Sequence, residues 1–167
     1  MYARLIELFE NANNDSSINC ILLQGDQTCF SAGNDLKDFM ANTDELIAIT
    51  FTEVIAAFEK PIIAAVAGAA VGIGTTMLLH CDMVIAADNT KFKLPFTQLA
   101  LCPEAGSSYI LAQRVGYNRA FELLVLGDLF TPEKALEYGI ITQITTPDAV
   151  LAMASEIAHK ISALPSD

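Results

Sequence analysis

Positive charge is scarce in this sequence. Nine lysine and arginine residues stand against 20 aspartate and glutamate residues, which gives a formal net charge of -11 at pH 7. No basic run occurs, and a surface that follows nucleic-acid phosphates needs clustered cations. The sequence therefore argues against a nucleic-acid partner. An anionic ligand would have to meet single cations such as Lys37, Lys60, Lys91 or Lys93.

Long apolar runs and a secretory leader are also missing. The longest apolar stretches, residues 62–74 and 77–85, are interrupted by glycines or by His80 and Asp82, whereas a membrane helix needs about 20 apolar residues. The first ten residues contain two glutamates and lack the basic start and apolar segment of a signal peptide. We therefore expect no membrane association and a cytoplasmic location.

Cysteine and histidine are too few and too scattered for a metal centre or a disulfide scaffold. The four cysteines show neither the close pairs of a zinc site nor the density of a disulfide framework, so we expect them reduced and mostly buried. They are Cys20, Cys29, Cys81 and Cys102. His80 precedes Cys81 and Asp82, but adjacent residues point in different directions and cannot converge on one ion. We expect no metal.

Helical and strand patterns alternate along the chain. Apolar spacing and helix-start residues predict helices at residues 2–10, 45–58, 72–79, 106–115, 119–126, 132–138 and 147–164. Short aliphatic runs predict strands at residues 18–23, 62–66, 83–87 and 140–144. Because no repeat, linker or low-complexity tract divides the sequence, we expect one α/β domain over residues 1–167, with a largely parallel sheet.

Two glycine-rich turns are candidates for an anion site. Residues 30–36 read FSAGNDL and precede a helical pattern, and residues 68–74 read GAAVGIG between a strand and a helix. Backbone amides at such turns, together with a helix N-terminus, favour negative charge. Either turn alone is most simply a tight turn, but the pair can form a site. Threonines replace the third glycine of a dinucleotide fingerprint in the second turn, which argues against nicotinamide binding.

Glu104 lies in an uncharged stretch directly before a predicted helix. Its carboxylate could cap that helix, where a negative charge is favourable. Alternatively, burial among Leu99, Leu101 and Cys102 would raise its pKa and suit it to proton transfer near neutral pH. The residues by themselves leave both interpretations open.

Other polar residues near the turns have structural explanations. Ser107 and Ser108 lack a nearby histidine and a nucleophile-elbow pattern, so we interpret them as helix-start residues. Asp35 and Asp82 are expected to cap helices or stabilise turns. Three apolar residues are expected in the core or along a tunnel: Phe92, Leu94 and Phe96.

Three segments together resemble the successive signatures of the crotonase superfamily, also called the enoyl-CoA hydratase/isomerase family. They are SAGNDL at residues 31–36, KPIIAAVAG at 60–68 and CDMVIA at 81–86. The resemblance extends over essentially the whole chain and implies a crotonase (ClpP/crotonase-like) fold of repeated β-β-α units. It implies an acyl-CoA thioester substrate, with no cofactor beyond the coenzyme A of that substrate, and a homotrimer or dimer of trimers. Against full family members, we expect the N-terminal strands and C-terminal helices to be missing.

The resemblance also implies how a thioester would be held. In that family two backbone amides bind the thioester oxygen as it gains enolate charge, and the matching positions are Asn34 and Ile73. Preorganised donors of this kind contribute on the order of 3 kcal/mol to transition-state binding. The matching substrate-binding positions are Ser31, Ala32, Gly33, Asp35, Leu36, Gly72 and Phe96.

The acid/base positions resemble an isomerase more than a hydratase. Hydratases of the family use two glutamates, and Thr76 and Phe96 stand at the matching positions. The Pro103-Glu104 pair resembles delta3,delta2-enoyl-CoA isomerases of the peroxisomal type, which implies that Glu104 is the catalytic base. The function so implied is a shift of a 3-enoyl-CoA double bond to the 2-trans position in fatty acid β-oxidation.

Two alternatives stay open. One is an enoyl-CoA hydratase or another acyl-CoA activity of the same family, supported by Glu104 alone. The other is a truncated, non-catalytic subunit that binds acyl-CoA or takes part in assembly.

Overall fold

The structure is a computed structural model that describes residues 1–34 and 45–165. The helices are α1 (Tyr2–Asn14), α2 (Glu45–Ala56), α3 (Ile73–Thr76), α4 (Ser107–Val115), α5 (Tyr117–Phe121), α6 (Pro132–Glu137) and α7 (Val150–Ser162). The strands are β1 (Ile21–Gln24), β2 (Cys29–Ser31), β3 (Ile62–Val66), β4 (Ala69–Val71), β5 (Met83–Ala87), β6 (Lys91–Lys93) and β7 (Gln143–Thr145). Short 3-10 helices span Met77–His80 and Thr97–Leu99, and a π-helix spans Glu122–Leu126.

The strands form two sheets in which every strand pair is parallel. The larger sheet has the order β1-β3-β5-β7 and the smaller one the order β2-β4-β6. Consecutive strands therefore separate, one into each sheet, and a helical segment follows each such pair. The predicted α/β class and the repeated β-β-α units are confirmed.

None of the three strands of the smaller sheet was predicted. Each of its strands has three residues, too few for a periodic pattern to stand out. Strand β4 lies inside the glycine turn at residues 68–74, and β6 places two lysines beside the buried Phe92. These three strands were not predicted, because their short side-chain patterns give a weak signal although their backbones pair.

Alternating side chains of the large sheet build two cores. On one face, Ile63 and Ile85 pack with Val150 and Ala154 of α7. The opposite face joins a larger core beneath the second sheet, which includes Phe9, Phe51, Ile62, Val66, Ala70 and Phe92. Because β3 is covered on both faces, all five of its residues are aliphatic and buried, as expected for an interior parallel strand.

Local signals explain several element boundaries. The Thr131 side chain accepts a hydrogen bond from the Lys134 amide at the start of α6, with Pro132 in the first turn, as predicted. The Asp82 carboxylate accepts from the Ile62 amide at 2.8 Å, which confirms a structural role. Ile140 is buried but precedes β7 rather than lying in it, so the predicted strand began too early.

The cysteines are free, but their burial was only partly predicted. Cys81 is buried, Cys20 and Cys29 are partly buried, and Cys102 is exposed. Across the described ranges, the acidic, cysteine and histidine side chains form no cluster that could hold a metal ion. No helix in those ranges is both long and apolar enough to span a membrane.

Candidate active site

A cavity of about 420 Å³ opens between the two glycine turns, helix α2 and the loop that follows β6. The glycine turns contribute Ala32, Gly33, Asn34, Val71, Gly72 and Ile73. The opposite wall is largely apolar and includes Ala48, Ile49, Phe96, Leu99 and Leu101. Glu104 supplies the one charged side chain among these described lining residues.

The two glycine turns lie against each other because glycine allows their backbones to approach closely. A Cβ added at Gly74 would lie 2.5 Å from the Ser31 carbonyl oxygen, and one added at Gly33 would lie 3.0 Å from that of Val71. Gly33 also has a φ of +92°, which side chains other than glycine rarely adopt. The structure thus brings the two predicted glycine turns together at the edge of the cavity.

Both residues predicted to present backbone amides line the cavity. Asn34 follows Gly33 at the end of the first turn, and Ile73 is the first residue of α3. The first amides of a helix have no partner inside that helix. In the described parts of the chain, no backbone carbonyl accepts the Ile73 N–H. This amide is thus available to an oxygen atom in the cavity.

Glu104 reaches into the same cavity from the loop between the second 3-10 helix and α4. Its Oε1 accepts a hydrogen bond from the Thr76 hydroxyl at 2.5 Å, and Thr76 is fully buried. Helix α4 begins after Gly106 without a side-chain cap. Ser107 donates its amide to the Glu104 backbone carbonyl instead. The interpretation of the Glu104 carboxylate as a helix cap was therefore wrong.

Burial raises the pKa of the Glu104 carboxyl above its ordinary value, and the hydrogen bond from Thr76 lowers it by a smaller amount. The direction matches the prediction, and Leu99, Leu101 and Cys102 line the same cavity as Glu104. Cys102 is exposed and Leu99 is 44% exposed, so these two residues are themselves less buried than Glu104. A raised pKa suits a carboxylate that takes and returns protons.

A second hydrogen bond fixes the loop that carries Glu104. The His80 ring donates from Nε2 to the Ala105 carbonyl oxygen at 2.9 Å. Ala105 has a φ of +53°, an uncommon value for a residue with a side chain. Thr76 and His80 lie four residues apart on one helical run. They therefore hold both the Glu104 carboxylate and the Ala105 carbonyl.

The remaining predicted residues are divided among three locations. Gly72 and Phe96 line the cavity, with Phe96 5% exposed, while Phe92 and Leu94 belong to the core. Ser31 lies within the first turn but is not among the lining residues of the cavity, and it packs against Gly74. Two predicted positions, Asp35 and Leu36, lie outside the described residues.

Tyr2 lies beside the cavity-lining residue Asn34, a contact that was not predicted. Its hydroxyl donates a hydrogen bond to the side-chain Oδ1 of Asn34, and its ring packs on Phe51 with centroids 5.3 Å apart. Burial, and then the negative charge of Glu104, raise the Tyr2 pKa to about 12. A signal was present, because Tyr2 shares the inward face of α1 with Phe9 by helical spacing.

The arrangement combines one carboxylate of raised pKa with the Ile73 amide at the edge of a largely apolar cavity. It can stabilise an oxygen that gains negative charge and move a proton on a neighbouring carbon. Thr76 and Phe96 offer no second carboxylate.

Known proteins are similar to this chain in both sequence and fold. A 2,3-dehydroadipyl-CoA hydratase of Escherichia coli (strain K12) is 33% identical, over 95% of this chain and 64% of that protein. A mouse peroxisomal enoyl-CoA delta isomerase 3 is also 33% identical, over 86% of this chain and 48% of its own length. This chain thus spans about two thirds of the first relative and half of the second.

A solved structure agrees with the fold over nearly the whole chain. A candidate enoyl-CoA hydratase/carnithine racemase from Magnetospirillum magneticum AMB-1 superposes with a TM-score of 0.96 at 42% identity. The match covers 99% of this chain and 67% of that structure. The sequence family described as enoyl-CoA hydratase/isomerase matches residues 1–167. The chain belongs to the enoyl-CoA hydratase/isomerase family, of the crotonase superfamily.

Proposed function

We propose that this chain forms the catalytic core of an enoyl-CoA isomerase that moves a 3-enoyl-CoA double bond to the 2-trans position. The observation that carries the proposal is Glu104, the single carboxylate among the described residues that line the cavity beside both glycine turns. Its hydrogen-bond partner, Thr76, occupies a position where hydratases of the family are expected to hold a glutamate. One proton-transfer group is enough for an isomerisation.

The proposed reaction is a proton transfer between two carbons. The thioester oxygen accepts hydrogen bonds from the amides of Asn34 and Ile73, which makes the C2 hydrogen more acidic. The Glu104 carboxylate takes that proton, and the electrons left on C2 delocalise over the C3–C4 double bond and the thioester as a dienolate. Protonated Glu104 then returns the proton to C4, and the double bond forms between C2 and C3. Atoms and charge balance without a cofactor.

The shape and chemistry of the cavity support an acyl thioester as the substrate. Its apolar wall can receive a hydrocarbon chain, and its polar groups are gathered around the turns and Glu104. The cavity volume of about 420 Å³ is within the ordinary range for small-molecule sites. The named mouse relative supports isomerisation in particular.

Hydration of 2-enoyl-CoA is the second candidate function, favoured by the Escherichia coli relative that is named a hydratase. Hydration must activate a water and also protonate C2, a task that two carboxylates share in the family's hydratases. Here Phe96 is buried and apolar at the second position. Glu104 would have to perform both steps.

The assembly implied by the family resemblance is a homotrimer or a dimer of trimers. Several apolar side chains on α4, α5 and the π-helix are exposed and could pack against another copy. They are Tyr109, Tyr117, Phe121 and Leu126. Light scattering of the purified protein would measure the mass, and a monomer at working concentration would contradict this assembly.

Product analysis separates the candidate functions. The wild-type protein is incubated with a trans-3-enoyl-CoA and, separately, with a trans-2-enoyl-CoA, and products are identified by mass and ultraviolet absorbance. The proposal expects the conjugated 2-enoyl product from the first substrate and little 3-hydroxyacyl-CoA from the second. Hydration that exceeds isomerisation would select the hydratase. A folded protein that binds acyl-CoA but converts neither would be a non-catalytic subunit.

A further inference from the structure

The Tyr2 side chain joins two parts of the site that are distant in sequence. Tyr2 is the first residue of α1, and its hydroxyl donates to the Asn34 side chain 32 residues further on. Asn34 lines the cavity and is the residue whose amide is assigned to the thioester oxygen. The hydrogen bond therefore acts on the first glycine turn at the point where that turn meets the substrate.

The Tyr2 ring is held in place before any ligand binds. It packs on Phe51 of α2. Phe51 is fully buried and also packs on Phe9, with the two ring centroids 6.2 Å apart. An aromatic ring anchored in a core loses little conformational entropy when its hydroxyl forms a hydrogen bond. The hydroxyl is thus a preorganised donor.

The protonation state of Tyr2 fits a donor role. Burial and the nearby Glu104 charge raise the pKa of the phenol and keep it protonated throughout the neutral pH range. The Asn34 Oδ1 atom can only accept, so the hydroxyl proton points at Asn34.

We propose that Tyr2 is a positioning residue that fixes Asn34, so that the Asn34 amide stays directed at the thioester oxygen when that oxygen gains charge. This inference rests on the proposed function, because it assumes that the cavity binds an enolate. Tyr2 acts through Asn34 and need not touch the substrate. Its contribution should therefore appear when negative charge develops on the oxygen and be small in the ground state.

Binding of two ligands, one an enolate and one a neutral thioester, measures the contribution of Tyr2 without a reaction taking place. Acetoacetyl-CoA can bind as its enolate, which has a distinct near-ultraviolet absorbance, whereas butyryl-CoA presents a neutral thioester of similar length. Affinities for both ligands are measured for the wild type, Tyr2→Phe, Asn34→Ala and the double variant. Asn34→Ala retains the backbone amide and removes the hydrogen-bond acceptor, and Tyr2→Phe retains the ring on Phe51.

The proposal expects Tyr2→Phe to bind the acetoacetyl-CoA enolate about fivefold to tenfold more weakly, the range of one lost hydrogen bond. Butyryl-CoA affinity should change less than about twofold, because a neutral thioester oxygen gains less than an oxyanion from a well-placed donor. Asn34→Ala should produce a similar loss, and the double variant no more than either single variant, because both remove one interaction. Tyr109→Phe is the matched control, since Tyr109 is 71% exposed.

Equal losses for both ligands would assign Tyr2 to general structure and overturn the proposal, as would additive losses in the double variant. A wild type that binds no enolate would overturn it as well, because there would be no oxyanion site to position. That outcome is distinct from failure of the isomerase assignment, which is decided by the products formed from a 3-enoyl-CoA. Unchanged melting temperatures in the single variants would show that the binding losses do not arise from unfolding.

Discussion

At the scale of single residues, the site depends on what surrounds Glu104. Burial raises the pKa of its carboxyl and favours the neutral acid, while the Thr76 hydroxyl favours the charged base. These opposed effects are useful to a group that must both accept and return a proton. The pH dependence of activity is therefore expected to change when the hydrogen bond between Thr76 and Glu104 is removed.

Replacing Thr76 by valine removes the hydrogen bond to Glu104 and keeps the shape of the side chain. The bond stabilises the carboxylate, so its loss should raise the Glu104 pKa further. If Glu104 is the base, it must be ionised to act, so the acidic limb of the kcat/KM profile should move to higher pH. An unmoved limb would show that the contact does not govern the active protonation state.

The matched control is Thr75→Val. Thr75 is as buried as Thr76, but its hydroxyl donates to the Ala70 carbonyl at 2.5 Å and does not contact Glu104. It should lower the free energy of unfolding without moving the acidic limb.

Replacing Glu104 by glutamine should stabilise the fold at neutral pH. The folded-state pKa of Glu104 is raised, so between its ordinary and raised values the folded chain holds more protons than the unfolded chain, and stability falls as pH rises through that window. Glutamine cannot ionise and avoids this cost. Thermal unfolding should therefore favour Glu104→Gln at neutral pH, with the advantage disappearing below the ordinary glutamate range.

An exposed carboxylate provides the opposite case. The hydrogen bond and charge of Lys160 lower the pKa of Glu156, so Glu156→Gln should give no stabilisation at neutral pH. A similar gain in both variants would mean that the effect comes from net charge rather than from burial of Glu104.

At the scale of elements, the close contact between the two glycine turns creates the site. Sequence patterns predicted each turn and the family resemblance assigned their roles. They did not show that β4 lies within the second turn and pairs with β2. That pairing positions Gly74 against Ser31, a contact between distant segments that local patterns cannot encode.

Gly74→Ala should disturb this contact. The new Cβ would lie 2.5 Å from the Ser31 carbonyl oxygen, so one of the two backbones must move, at a cost of about 3 kcal/mol by analogy with overpacked cores. Gly139→Ala is the control that has backbone strain without a clash. Its φ is +70°, and its added Cβ would meet nothing within 4 Å. The control should cost about 1–2 kcal/mol. Denaturant unfolding measures both, and equal losses would contradict the close approach.

Helices and strands were predicted correctly where one face or the whole element is buried. They were missed where the element is too short to show an apolar pattern. The aliphatic runs of β3 and β5 were predicted with their observed bounds, because a strand covered on both faces has little choice of residues. The apolar residues along one face of α1 correctly predicted a helix. The three-residue strands were missed, and Tyr2 was overlooked because its partner is 32 residues away.

At the scale of the whole molecule, β3 is the centre of stability. It pairs with β1 on one side and β5 on the other, and no residue of β3 is more than 4% exposed. Backbone amides in such a strand exchange only when a large part of the fold opens. Hydrogen exchange followed by mass spectrometry should show peptides covering Ile62–Val66 among the slowest to exchange, with β7, at the sheet edge, faster. The reverse order would contradict the sheet order.

The fold class was predictable from the whole sequence, whereas the reaction is less so. Relatives of similar identity are named for isomerisation and for hydration, because the fold and the glycine turns serve both reactions. The proposed assignment of this chain depends on Glu104, the one charged side chain among the described residues lining the cavity, and on the uncharged side chains of Thr76 and Phe96.

The most direct test compares wild type with Glu104→Gln in the conversion of a trans-3-enoyl-CoA to the 2-enoyl isomer. Retained affinity for butyryl-CoA would show that the variant's cavity is intact. If Glu104 is the base, isomerisation should fall by about 10²- to 10⁴-fold, the usual contribution of general acid–base catalysis. A variant that keeps the wild-type rate would contradict the central claim and assign the proton transfer to another group.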